Sequence, residues 1–418
     1  MKRNEQIVTG LDIGTAAVRA IIAACSADTG IRVLGVGVTP SDGVRKSMIT
    51  DNARASSAIR AAVEEAERDA HAEVDSVCVN IGGSHIHSGS TDAVVSLKDN
   101  EDTVQDSHLQ ELHEKARGNA AEKGREFLHV IPSEYRLDGH GGNQNPVGAQ
   151  ASRIQLVAHM ITADRSVMEN HARTVNDAGF KVADLCFSPI AAGHAVLTEQ
   201  EKKDGVLLVD IGAGSTSYAV YFNNAIYYSK VFAVGGDHLT NDLALGLHLS
   251  IPEAEQLKCT YGRLIRINDA QRDPGTVRVQ TSDKKDRAIL RQDVDLIIDS
   301  RIEELLQFIC DDIEGQQYRP MLAHGAVFVG GGTQLHRFAE RAEKTFAHRV
   351  RIGIPHLLAE QDTPQPGAIS ADRHLHLRDT CFSTALGLVR YGFICLQNSR
   401  AQAHGGFRKF IRSVFSLS

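Results

Sequence analysis

One pattern recurs far apart in this chain and constrains its fold more than any other feature. In Ile7-Val8-Thr9-Gly10-Leu11-Asp12-Ile13-Gly14-Thr15 an apolar run meets an Asp-Ile-Gly turn and continues into the apolar residues 16–24. In Val206-Leu207-Leu208-Val209-Asp210-Ile211-Gly212-Ala213-Gly214-Ser215-Thr216 the pattern returns and continues through residues 217–222. Both read as strand, tight turn, strand. Glycine lets backbone N–H groups approach phosphate oxygens closely and form an anion-binding concavity. The hydroxyls of Thr15, Ser215 and Thr216 add donors, and Asp12 and Asp210 can hold Mg²⁺ through its waters. A single Asp-x-Gly turn is a weak signal, because both residues populate hairpins for conformational reasons alone. Two copies imply two related half-domains facing one another across a nucleotide cleft. No G-x-x-x-x-G-K-[ST] stretch occurs, which disfavours a P-loop nucleotidase.

Three further elements fit the same cleft. Ala326-Val327-Phe328-Val329 reads as a buried strand, ends in Gly330-Gly331-Gly332-Thr333, and leads into helical spacing over residues 334–346. Glycines at a helix start let a flat ligand lie against the backbone, although a turn that needs positive φ would show the same residues. Gly235-Gly236-Asp237 enters a helix over residues 239–247. In the helix that follows, Glu255 and Lys258 sit three apart, placed to flank a ribose or to form a solvated ion pair.

Composition narrows the partners. A formal net charge of -7 over 418 residues gives the bulk surface no attraction for nucleic acid, so an anionic partner must meet a local basic patch. Seven scattered cysteines, never in a C-x-x-C pair, suit a reducing, cytoplasmic compartment rather than disulfides or zinc. His374 and His376 lack further ligand spacing and read as an exposed strand or loop. Residues 1–6 run into a strand without an apolar leader, and no window approaches the ~18–20 apolar residues of a membrane span.

The C-terminal end differs from the body. Residues 397–405 are polar and read as a flexible linker, and residues 406–418 as an amphipathic helix. Phe407, Phe410, Ile411 and Val414 follow i, i+3, i+4, i+7 spacing, with Phe415 flanking the same face. Arg408, Lys409 and Arg412 fall on the opposite side. An apolar face with a purely cationic back fits an anionic lipid interface.

The order Asp-Ile-Gly-Thr, Asp-Ile-Gly-x-Gly, Gly-Gly-Asp, Glu-x-x-Lys and Gly-Gly-Gly-Thr resembles the phosphate 1, phosphate 2 and adenosine motifs of the actin superfamily. Within it the chain resembles the bacterial cell-division family FtsA. The stretches that carry this are Leu128-His129-Val130-Ile131-Pro132-Ser133-Glu134-Tyr135, Asn145-Pro146-Val147-Gly148, Val350-Arg351-Ile352-Gly353-Ile354-Pro355 and Ser383-Thr384-Ala385-Leu386-Gly387-Leu388.

The resemblance implies an α/β, actin-like (ribonuclease H-like) two-domain fold. Subdomain 1A would take residues 1–84 and 162–200, a 1C insertion 85–161, subdomain 2A 201–251 and 323–396, and subdomain 2B 252–322. It implies an ATP- and Mg-binding, filament-forming protein that tethers the FtsZ ring to the inner membrane at the septum and helps recruit later division proteins. Arg287 and Arg301, with Lys285 and Arg291 nearby, match the basic 2B positions that meet the FtsZ tail. Ala213, Ser215 and Ser217 depart from the family's phosphate 2 loop. Ala213 is tolerable only with negative φ, and the expectation is nucleotide binding with at most weak ATPase activity. An actin-fold small-molecule kinase would use the same loops but needs a base poised in the cleft. An MreB-type cytoskeletal protein usually lacks the 1C insert and the tail.

Overall fold

The computed structural model describes residues 5–26, 30–97, 102–143, 145–265, 275–280, 286–356 and 376–403. The segment from Phe407 to Phe415, Lys285 and His374 lie outside the described residues.

Two five-stranded sheets repeat one topology. In the first, β1 (Gln6–Ile13), β2 (Ala17–Ser26) and β3 (Gly30–Pro40) form an antiparallel meander. The short hairpin β4 (Val44–Arg45) and β5 (Met48–Ile49), then helix α1 (Asn52–Ala70), lead to β6 (Ser76–Ile81), which runs parallel to β1. Asp51 caps α1 by accepting from Arg54 N. The alanines of α1 let it lie close on β3: a Cβ added to Gly37 would stand 1.8 Å from Ala62 O.

An insertion follows β6. Strands β7 (His87–Ser96), β8 (Arg125–Leu137), β9 (His140–Asn143) and β10 (Arg153–Asp164) pair in the order β7-β10-β8-β9. Helix α2 (Asp106–Asn119) buries Leu109, Leu112 and Ala116 in one cluster with Ile154, Leu156 and Ala158. After α3 (Arg165–Asp177), strand β11 (Lys181–Phe187) completes the first sheet in the order β11-β6-β1-β2-β3.

Helices α4 (Ser188–Val196) and α5 (Glu199–Asp204) lead to the second sheet. There β12 (Val206–Ile211), β13 (Thr216–Phe222) and β14 (Ala225–Phe232) repeat the meander. Helices α6 (Gly236–Leu247) and α7 (Ile251–Tyr261), the hairpin β15 (Thr276–Gln280) and β16 (Asp286–Leu290), and α8 (Arg291–Gly315) form the second half's outer part. Strands β17 (Ala326–Val329) and β18 (Val350–Ile352), joined through α9 (Phe338–Phe346), add in parallel to give β14-β13-β12-β17-β18. This is the duplicated topology that the resemblance implies.

Helix α10 (Ser383–Ala403) crosses between the halves. It packs on β1, β2 and α4, while α4 packs on β12 and β13, so each half contributes a helix to the other's sheet. Gly387 makes the crossing possible, since a Cβ there would sit 1.7 Å from Ala191 O.

Two local expectations need correction. The helix read over residues 334–346 starts only at Phe338, because Arg337 adopts a left-handed φ of 66° after the 3-10 turn Gly331–Gln334. The polar stretch read as a linker from residue 397 continues α10 to Ala403. Its Gln, Arg and Ala residues are good helix formers, and helix already propagates into them from Ser383.

Candidate functional site

The β1–β2 and β12–β13 turns face each other across one cavity of about 350 Å³, a size suited to a small-molecule ligand. Asp12, Gly14 and Thr15 line it from the first half, and Asp210, Gly212 and Ser215 from the second. Gly236, Glu255 and Lys258 line it from α6 and α7, and Gly330, Gly331 and Gly332 from the turn after β17. The two turns close alike: Gly14 N donates to Ala17 O (3.1 Å) and Gly212 N to Ser215 O (3.0 Å). Ala213 does not have positive φ, so its side chain fits the loop without strain.

The carboxylates sit deep in the wall. Asn80, at the end of β6, donates to Asp12 Oδ1 (2.8 Å) and accepts from Ile13 N (2.7 Å). Arg19 lies 3.8 Å from Asp12, and Thr384, on the first turn of α10, reaches Asp210 Oδ2 at 3.5 Å. Burial pushes the Asp12 carboxyl up to about 6, with Arg19 opposing. Burial and the charge of Asp12 push Asp210 up to about 7, with Thr384 and Arg19 opposing. Two buried acids that resist ionising together are the environment a divalent cation would relieve. Among the described residues no group of three or more His, Cys, Asp or Glu is placed to hold a metal. Asp12 and Asp210 are the two carboxylates that would hold such a cation through its waters, the usual habit of Mg²⁺.

Several expected contacts fall behind the wall instead. Thr216 points away from the cavity, because alternation along β13 sends its hydroxyl to Val234 O (2.8 Å). Thr333 donates to Gly330 O (2.8 Å) and braces its turn. Gly214 and Gly235 act through close packing: a Cβ on Gly214 would stand 2.5 Å from Thr15 Oγ1, and one on Gly235 2.6 Å from Gly212 O. Lys258 spends its ammonium on Gly236 O (3.1 Å), Thr240 Oγ1 (2.9 Å) and Glu255 Oε2 (2.7 Å). Burial raises the Glu255 carboxyl, but its bonds to Lys258 and Thr240 outweigh that and leave it low. The ion-pair reading of Glu255 and Lys258 is what forms, with both residues on the cavity wall.

The two arginines read as cationic contacts are both engaged. Arg301 grips Asp242 with Nε (2.6 Å) and Nη2 (3.0 Å) and also binds Glu304. Arg287 donates to His248 O (3.0 Å). Arg291 is structural, bonded to Asp295 (3.0 Å) and Tyr261 O (2.6 Å).

Sequence reasoning missed Arg19, Ser47, Asn80 and Thr384 in the wall. Arg19 carried a signal, as the one charged residue in the apolar strand Ala17–Ser26. Ser47 and Asn80 carried none.

A family model described as Cell division protein FtsA matches residues 207–387, and one described as the SHS2 domain inserted in FTSA matches residues 83–162. The cell division protein FtsA of Neisseria meningitidis serogroup B is 32% identical over 391 residues, covering 93% of this chain and 91% of that protein. The chain belongs to the FtsA family of cell-division proteins. The FtsA of Pseudomonas aeruginosa is 29% identical, covering 93% of this chain and 89% of the relative. Among solved structures, a PilM-PilN type IV pilus biogenesis complex superposes with a TM-score of 0.65 at 17% identity, over 92% of this chain and 98% of that one. MreB5 of Spiroplasma citri bound to AMPPNP superposes with a TM-score of 0.55 at 12% identity, over 96% and 100% of the two chains. These likenesses show an actin-like fold, and residues 83–162 match the SHS2 domain that is inserted in FtsA proteins. Among the described residues no helix is long and apolar enough to cross a membrane.

Proposed function

We propose that this chain binds Mg·ATP in the cleft, assembles into actin-like filaments, and couples the FtsZ ring to the cytoplasmic face of the bacterial inner membrane at the septum. The observation that carries the nucleotide reading is the convergence of Asp12, Thr15, Asp210 and Ser215 on one cavity from opposite halves. Gly14 and Gly212 leave room for phosphate oxygens against the turns, and the hydroxyls of Thr15 and Ser215 supply donors. Bound Mg²⁺ would supply neutralisation of phosphate charge, with Asp12 and Asp210 holding its waters. The AMPPNP bound by MreB5 supports a nucleotide in this fold. Hydrolysis is at most weak on this reading. Asp12 and Asp210 face the cation position, and Glu255 is tied to Lys258 and Thr240.

For the FtsZ tail we infer the shallow groove between α6 and α8, lined by Asp242, Leu245, Leu296, Ile297, Arg301 and Glu304. Leu245 is 75% exposed there, an apolar anchor beside polar groups. Arg301 must exchange part of its bond to Asp242 for a tail carboxylate, while Arg287, bonded to the His248 carbonyl just past α6, is a weaker contact on this reading. Residues 406–418 are the membrane anchor on this reading, with Phe407, Phe410, Ile411, Val414 and Phe415 inserted and Arg408, Lys409 and Arg412 on anionic headgroups. Each anchor is weak alone, and an array along a filament gains avidity. Filaments on the membrane would then present the surfaces that later division proteins recognise.

The deciding experiment is calorimetry with Mg·ATP on the wild type and on Asp210→Ala. Binding by the wild type that the substitution weakens at least tenfold supports the site, and unaltered affinity removes Asp210 from it. Deleting residues 406–418 should release the protein from anionic vesicles while ATP binding persists.

A further inference from the structure

The tip of the β4–β5 hairpin reaches the place where the two phosphate turns meet. Its two central residues, Lys46 and Ser47, have positive φ of 48° and 61°, and neither is glycine. A two-residue hairpin favours this backbone, but side chains resist it, so the surrounding contacts must hold it. They do so from three sides. Ser47 N donates to Thr15 Oγ1 at 2.9 Å. Ser47 Oγ lies 2.8 Å from Ser215 Oγ, across the cleft. Gly214 lies so close that a Cβ there would be 2.6 Å from Lys46 Cα. Ser47 also lines the cavity that holds Asp12 and Asp210.

We propose that Ser47 is a third phosphate-binding group, which senses the terminal phosphate of a bound nucleoside triphosphate; this rests on the nucleotide reading of the cleft. The chemistry follows from the hydroxyl pair. Two serines that bond to each other use one proton and leave the other donor unspent in that contact. A phosphate oxygen arriving between them accepts from both, exchanging one neutral hydrogen bond for two charge-assisted ones. Ser47 belongs to the first half and Ser215 to the second. The serine pair joins the halves directly, and a terminal phosphate would bridge them in its place. On this proposal the terminal phosphate meets the pair and a diphosphate does not, which would discriminate triphosphate from diphosphate.

The test is calorimetry with Mg·AMPPNP and Mg·ADP on the wild type, Ser47→Ala and Ser47→Gly. Glycine relieves the positive φ that alanine keeps, so agreement between the variants separates loss of the hydroxyl from backbone strain. The expected result is an AMPPNP affinity about tenfold weaker in both variants, the scale of one charge-assisted bond, with ADP affinity within about twofold of wild type. Equal losses for both nucleotides, or none, overturn the role of Ser47 and leave the cleft as a nucleotide site. A wild type that binds neither nucleotide overturns the cleft reading and the proposal together.

Discussion

Arg19 stands directly opposite Asp12 in the β1–β2 ladder, its guanidinium 3.8 Å from the carboxylate. The same register position opposite Asp210, in the β12–β13 ladder, is Ser217. The duplicated hairpins therefore differ in charge at equivalent places. Asp12 has a fixed counter-ion beside it, whereas Asp210 has the Thr384 hydroxyl and a more distant Arg19. Burial raises both carboxyls, and the charge of Asp12 raises Asp210 further, so Asp12 stands at about 6 and Asp210 at about 7.

The pair carries a stability cost with a defined pH window. Well below pH 3.8 both carboxyls are protonated folded and unfolded, and they contribute nothing. Between about 4 and 7 the unfolded chain has released protons that the fold retains, so stability falls as pH rises, and the cost persists above 7. Asp210→Asn should stabilise the nucleotide-free protein by about 1–3 kcal/mol at pH 8 and leave it nearly unchanged at pH 4. Denaturant titration at the two pH values checks this, and a destabilised variant at pH 8 would contradict it.

Buried imidazoles push the other way. Burial lowers His85, His159 and His171 to about 4 and His129 to about 3. Above about 6.5 they are neutral in both states; as pH falls from there toward 4 only the unfolded chain takes up protons, and stability is lost. Together with His113 and His194, which burial lowers likewise, these imidazoles outweigh the two carboxyls. Net stability should fall between pH 7.5 and 5, read as a lower urea midpoint, whereas a flat or rising midpoint would refute the ranking.

The crossing of α4 and α10 is intolerant of a single methyl group. Gly387→Ala places a Cβ 1.7 Å from Ala191 O, with backbone on both sides. A loss of about 3 kcal/mol or more is expected, at the upper end of overpacking costs. Gly118→Ala is the control, since nothing lies within 4 Å of that Cβ, and it should be neutral or slightly stabilising. Thermal unfolding of the two variants side by side distinguishes packing at the crossing from a general cost of replacing glycine.

Arg341 holds the joint between α8 and α9. Its Nη2 sits 2.6 and 2.7 Å from the two Asp299 oxygens, both residues being buried. Arg341→Met strands the carboxylate and should cost about 3–5 kcal/mol. The double variant with Asp299→Leu should recover a large part of that loss, as measured by chemical denaturation.

How far the chain could be read before folding depended on distance along it. The Asp-Ile-Gly turns and the strand that ends in Gly330 were legible, because each rests on residues a few positions apart. Helix boundaries failed where neighbouring context prevailed, as at Arg337 and beyond residue 397. Thr216 and Thr333 were misassigned because a hydroxyl's type is visible in sequence but its direction is not. Arg287 and Arg301 kept their cationic character but not their freedom, since Asp242 and the His248 carbonyl come from other elements.

By itself, the amino-acid order established two strand–turn–strand units with phosphate-suited turns, and the family to which the chain belongs. Those follow from local alternation, from glycine's lack of a side chain, and from motifs read along the chain. Only the tertiary structure decided that Ser47 meets Ser215, that Thr384 reaches Asp210, and that α4 and α10 exchange partners between the halves. Each of these contacts joins residues remote in sequence, and it exists because burial of apolar sheet and helix faces sets where those residues come to rest.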